Sequence, residues 1–115
     1  MGSRKMFITH MDTAAEGNCV WIQGLVTRQM ETTSRGPRSI VLDDATGVVV
    51  CVESERPMAP LDDLKRNDLV GKYAQVIGII ERDEGGGQFR VSTLKFFILE
   101  DPNLESLWSM ECLPR

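Results

Sequence analysis

The sequence predicts an all-β protein: a five-stranded OB-fold Greek-key barrel with a short helix between strands three and four and a C-terminal helix. Three observations carry this reading. Five runs rich in β-branched and aromatic residues are separated by turn signals; the one short helical pattern falls between the third and fourth runs; and two long runs carry an internal glycine, Gly24 and Gly78. A glycine inside a strand marks a bend, a bulge or a close backbone approach, all of which a small closed barrel needs.

The elements follow in order. Residues 1–18 mix charge, Thr, Ala and Gly without a clear period and read as a tail or loosely packed lead-in. Residues 19–115 form the OB-fold domain with its C-terminal helix. The first strand is Cys19–Val26. Gln29 to Arg38 is polar, contains Arg35-Gly36-Pro37, and reads as a loop. Ser39–Leu42 and Val48–Val52 form a hairpin around Asp43-Asp44-Ala45-Thr46-Gly47, a turn with Asx chemistry and a glycine for positive φ. The run Val48-Val49-Val50-Cys51-Val52 is apolar on both faces and predicts a deeply buried strand.

Between Pro57 and Asp68, Pro60 suits a first helical turn, Asp62 and Asp63 come early, and Lys65 and Arg66 come late, an order that complements the helix dipole. Met58, Leu61 and Leu64 share one face of this short helix. Lys72–Glu81 is the fourth strand, the stretch through Gly85-Gly86-Gly87 a loop, and Phe89–Leu99 the fifth strand. Asp101-Pro102-Asn103 then opens the closing helix.

Composition narrows the function. The 115 residues carry a net charge of −4, with 42% hydrophobic and 26% charged residues, the balance of one globular domain. Nucleic-acid modules draw most of their affinity from a basic footprint, which is missing overall. Cys19, Cys51 and Cys112 are odd in number and far apart, against a disulfide framework or a zinc site. No apolar run has the length of a membrane span, so no membrane role is expected.

No catalytic constellation is apparent. His10 is the only histidine, there is no G-x-S-x-G elbow, and Asp43-Asp44, Asp62-Asp63 and Asp83-Glu84 have structural explanations as a turn, a helix start and a loop. The reading is a non-enzyme without cofactor or metal. An OB-fold that binds single strands needs aromatic platforms and basic side chains on strands two and three and on the flanking loops. Strands two and three contain no aromatic residue, and the loop after strand four sets Glu81, Asp83 and Glu84 against Arg82. Arg28, Arg35 and Arg38 around the first loop are the exception and keep a single-stranded DNA-binding domain as the alternative function.

Protein binding has the stronger signal. At about 100° per residue, Leu104, Leu107, Trp108 and Cys112 cluster on one side of the closing helix, and Met110 widens the stripe beyond what packing onto one neighbour requires. Periodicity alone leaves open whether Trp108 plugs the barrel or meets a partner. Lys95, beside Phe96 and Phe97, either snorkels to solvent or pairs with an acid on a partner.

Four segments together resemble the RecQ-mediated genome instability protein 2 family: Val20-Trp21-Ile22-Gln23-Gly24-Leu25-Val26; Leu69-Val70-Gly71-Lys72-Tyr73-Ala74-Gln75-Val76-Ile77-Gly78-Ile79-Ile80; Thr93-Leu94-Lys95; and Asp101-Pro102-Asn103-Leu104-Glu105-Ser106-Leu107-Trp108. Their order and spacing span Val20 to Leu113. The resemblance implies a non-catalytic, nuclear OB-fold subunit with little or no direct nucleic-acid binding. It would pair through C-terminal helices with the C-terminal OB domain of RecQ-mediated genome instability protein 1, much as replication protein A subunits assemble. The pair would join a Bloom-type RecQ helicase and topoisomerase III alpha in double Holliday junction dissolution, in homologous recombination, DNA replication and repair. Leu104, Leu107 and Trp108 would then lie at the helix interface, with Lys95 beside the contact surface.

Overall fold

Alternating inward and outward side chains build the sheet of this computed structural model, which describes residues 4–13, 16–31, 37–82 and 88–100. Six strands form: β1 (Arg4–Lys5), β2 (Cys19–Glu31), β3 (Arg38–Asp43), β4 (Val48–Glu53), β5 (Tyr73–Arg82) and β6 (Phe89–Leu99). Strands β2-β3-β4-β6-β5 pair in that order, and β5 pairs back onto β2, closing a five-stranded barrel. Closure removes the unpaired edges that an open sheet would expose. Inward positions fill it: Val20, Ile22 and Val26 from β2, Ile40 and Leu42 from β3, Cys51 from β4, Ala74, Val76 and Ile80 from β5, and Val91 from β6 are all 0–1% exposed.

β2 is longer than its apolar run. Gln29–Glu31, expected in a loop running to Arg38, continue the strand because Arg28–Glu31 pair with β3, from Arg28↔Val41 to Glu31↔Arg38, and Arg38 itself opens β3. One strand thus serves two neighbours, with Cys19–Leu25 on β5 and Leu25–Glu31 on β3. Gly24 sits at the changeover. A Cβ there would stand 2.6 Å from the carbonyl oxygen of Asp43, so only glycine lets the two backbones approach this closely.

The short helix between β4 and β5 is a single 3-10 turn, Asp62–Lys65, which buries its own Leu64, with the flanking Leu61 and Leu69 buried as well. Met58, expected on the same face, is 65% exposed, because its backbone N–H instead bonds the carbonyl of Leu94 at 3.1 Å. The hairpin turn has the Asx chemistry expected: Asp43 Oδ1 accepts the Ala45 N–H at 2.8 Å, and Asp44 Oδ1 accepts the Thr46 and Gly47 N–H groups at 2.9 and 3.2 Å. Its positive φ, however, falls on Ala45 at 73° and not on Gly47.

The lead-in is more ordered in its packing than its composition suggests. β1 runs parallel to β2, pairing Arg4 with Val20 and Lys5 with Trp21, and a 3-10 helix follows at Ile8–Thr13. Met6, Ile8 and Met11 are 2–7% exposed and belong to the core. Asp44 Oδ2 accepts the Ile8 N–H at 2.7 Å and Thr46 Oγ1 accepts that of Thr9 at 3.2 Å, so the β3–β4 turn holds the start of this helix.

β4 also differs from expectation. Val49 and Cys51 point inward, but Val48 is 62% exposed and Val50 and Val52 are half-buried. The run is apolar on both faces because its outer valines pave a groove and not because the strand is enclosed. The expected C-terminal helix lies outside the described residues.

Candidate partner-binding face

Strand pairing brings an apolar patch together on the outside of the barrel. Across β2, β5 and β6 the outward rows read Leu25–Tyr73–Leu99, Gln23–Gln75–Phe97 and Trp21–Ile77–Lys95. Leu25 and Phe97 are 41% and 45% exposed, high for large apolar side chains. Within the patch Gln75 Nε2 donates to Gln23 Oε1 at 3.4 Å, and Lys5 Nζ lies 4.4 Å from the centre of the Trp21 ring, a cation–π contact. Gln23 in the middle row is buried, and the residues of the face other than Leu25 and Phe97 are half-buried; two exposed large apolar side chains grouped on one outer face mark it as a candidate interaction site.

A bulge decides what β6 contributes. Ile77 faces Lys95 but Gly78 faces Thr93, so Leu94 is an extra residue in β6. Alternation before the bulge buries Val91 and Thr93; unbroken, it would carry Lys95 and Phe97 into the core. The extra residue inverts the phase, burying Phe96 (7% exposed) and turning Lys95 and Phe97 outward. Gly78 makes the bulge possible: a Cβ there would lie 2.5 Å from Val91 Cγ1 and 3.0 Å from the Ser92 carbonyl carbon.

Lys95 is therefore half-buried in an apolar patch, opposite Ile77, and its ammonium makes no hydrogen bond or ion pair to any described residue. β6 ends on the same face at Leu99, and the segment bearing Leu104, Leu107, Trp108, Met110 and Cys112 follows it in the chain. Those five residues lie outside the described ones. The residues that sequence reasoning missed are Leu25, Tyr73, Phe97 and Leu99; strict alternation along Trp21-Gln23-Leu25 and Tyr73-Gln75-Ile77 is the signal that finds Leu25 and Tyr73.

The arginines of the alternative reading are not brought together. Arg28 faces outward beside Val41, whereas Arg38 lies on the opposite side of β3, its Nη1 donating to the Lys65 carbonyl at 2.9 Å. Arg35 lies outside the described residues. Among the described residues no group of three His, Cys, Asp or Glu side chains could hold a metal, and no helix is long and apolar enough to cross a membrane.

A sequence profile for RecQ-mediated genome instability protein 2 matches residues 4–113, nearly the whole chain. The chain belongs to that family. No curated protein matches in sequence. Among solved structures, a chain of the Schizosaccharomyces pombe Stn1–Ten1 complex superposes with a TM-score of 0.76 at 18% identity, over 97% of this chain and 89% of that one. A replication protein A heterotrimer bound to single-stranded DNA contributes a chain with a TM-score of 0.75 at 13% identity, covering 97% and 93%. Asparaginyl-tRNA synthetase from Pyrococcus horikoshii matches with a TM-score of 0.67 at 20% identity, over 85% of this chain but 23% of that one, which is the shared OB domain. These likenesses fix the fold as OB. Family membership and this fold support a non-catalytic protein of genome maintenance with a protein-interaction role.

Proposed function

We propose that this member of the RecQ-mediated genome instability protein 2 family is a nuclear OB-fold subunit that heterodimerises with the C-terminal OB domain of RecQ-mediated genome instability protein 1. The pair stabilises a RecQ helicase–topoisomerase III alpha complex acting in double Holliday junction dissolution, recombination and repair. The observation that carries the reading is the outer β2-β5-β6 face, where Lys95 stands among apolar side chains without a carboxylate among the described residues. A half-buried ammonium in apolar surroundings is stabilised by an acid brought by a partner. The Stn1–Ten1 and replication protein A assemblies are multi-subunit complexes with chains of this fold, which supports the same use here.

In this reading the closing segment supplies Leu104, Leu107, Trp108, Met110 and Cys112 to the interface, and Lys95 flanks it. Co-purification with the sister subunit tests it. Lys95→Glu, Leu107→Ala and Trp108→Ala should each reduce recovery of the heterodimer at least about tenfold, since anchor residues carry most of an interface's energy, while circular dichroism shows an intact barrel. Normal recovery of the sister subunit by all three variants would overturn it.

A further inference from the structure

A second surface lies on the other side of the strand circuit, where β3 and β4 turn their outer face to solvent. The sequence makes this face apolar: Val41 stands opposite Val50, and Val48 beside them is 62% exposed. The 3-10 helix Ile8–Thr13, pinned by Asp44 and Thr46, walls one side; Gln88 and Phe89 at the start of β6 wall the other. The walls and floor enclose a groove of about 560 Å³. Among the described residues Arg28 is the only charged side chain lining it, and its guanidinium has no hydrogen bond or ion pair to any of them.

The nearby charges are already engaged. Asp44 accepts from Ile8, Thr46 and Gly47, and Asp43 accepts from Ala45. Arg90, opposite Val50, is paired with Glu81 at 3.2 Å. Among the described residues the groove therefore offers an aliphatic floor and one uncommitted guanidinium. A guanidinium with no partner among the described residues, beside exposed aliphatic surface, matches a carboxylate on an apolar ligand, because Arg and carboxylate form a charge-assisted, bidentate pair. A nucleic-acid strand is a poor match. It needs several cations along its backbone and open aromatic faces for its bases. The floor valines cannot stack, and the guanidinium of Arg82 already lies over Phe89, 4.5 Å from its ring centre.

We propose that this groove is a docking site for a short acidic, apolar peptide segment of a partner protein, with aliphatic or aromatic side chains seated on Val41, Val48 and Val50 and a carboxylate held by Arg28. The volume suits a few side chains, within the range of about 300–1,000 Å³ usual for ligand sites. The groove shares no lining residue with the outward rows of the β2-β5-β6 face, so it would stay available while that face is occupied.

The test uses the full-length chain labelled with nitrogen-15 and three probes: a 12-residue peptide alternating leucine or phenylalanine with aspartate, the same peptide with lysine for aspartate, and a 12-nucleotide oligothymidine. The acidic peptide should shift the amide signals of Val41, Val48, Val50 and Phe89 and leave those of Ile77 and Phe97 in place. Arg28→Glu should weaken that binding at least about tenfold, the equivalent of one charge-assisted hydrogen bond, and Val48→Lys should abolish it. Both side chains are exposed, so both variants keep the fold, as their unchanged core signals would show. The proposal is overturned if the acidic peptide causes no shifts, if the lysine peptide binds as well, if Arg28→Glu has no effect, or if only the oligothymidine occupies the groove.

Discussion

At the scale of single residues, burial decides chemistry. Cys51 points into the barrel, and burial pushes its thiol up to about 12, from 9.0. The folded chain thus keeps the thiol protonated where the unfolded chain would ionise it. A raised folded-state pKa contributes stability that is fully present below about pH 9 and is lost as pH rises toward 12. The slope can reach about 1.4 kcal/mol per pH unit in that window. Urea denaturation at pH 7, 9 and 10.5 should show the wild type losing more stability than Cys51→Ala over the last interval; equal losses would mean that Cys51 is not held neutral. Ala45 shows a different residue-scale fact. The β3–β4 turn needs a positive φ there, and the chain tolerates an alanine because Asp43 and Asp44 between them fix the turn.

At the scale of elements, the strands were legible and their irregularities were not. β5 alternates buried and half-buried positions without a break from Tyr73 to Ile80, and its apolar residues announce it. β6 is likewise rich in β-branched and aromatic residues, yet its pattern inverts at Leu94. Nothing in Thr93-Leu94-Lys95 encodes that bulge locally. It arises from the close approach of β5 and β6 at Gly78, a contact between residues far apart in sequence. The same reason hid the extension of β2 through Thr27–Glu31, whose polar residues are ordered by β3. The candidate site was legible only where it rested on a single residue type in an unexpected setting, as with Lys95; its apolar surroundings come from three strands at once. Gly78→Ala therefore tests an element and not a residue. Its Cβ would collide with Val91 and the Ser92 backbone, so overpacking should cost about 1–3 kcal/mol. The amide signals of Lys95 and Phe97 should shift with it if the bulge moves. A fall in the urea midpoint without any change at Lys95 would separate packing strain from the bulge.

At the scale of the whole molecule, the barrel's closure and the N-terminal segment have to be considered together. β2 is shared between β5 and β3, so beside Val20 and Trp21 its other edge is covered by β1. The lead-in showed no period because β1 is two residues long and Ile8–Thr13 is a 3-10 helix, so Met6, Ile8 and Met11 follow neither the helical nor the strand repeat. Their burial still matters. Removing three such side chains from water contributes about 1.5–3 kcal/mol each, an upper range because the unfolded chain is itself partly compact. The sum is comparable to the net stability of about 5–15 kcal/mol typical of a domain. The profile match beginning at residue 4 is in keeping with a structural unit that includes this segment. A chain starting at Glu16 should accordingly lose most of its cooperative thermal transition, whereas one starting at Arg4 should melt as the full-length protein does. The β3–β4 turn links this segment to the groove, since Asp44 holds Ile8. Asp44→Ala should also lower the melting temperature, because it releases the backbone N–H groups of Ile8, Thr46 and Gly47 together, and each hydrogen bond to a charged acceptor is worth about 1.5–3 kcal/mol. If the chain from Glu16 instead melts at the full-length temperature, the barrel closes without its lead-in, and residues 19–115 are the complete folding unit that composition alone suggests.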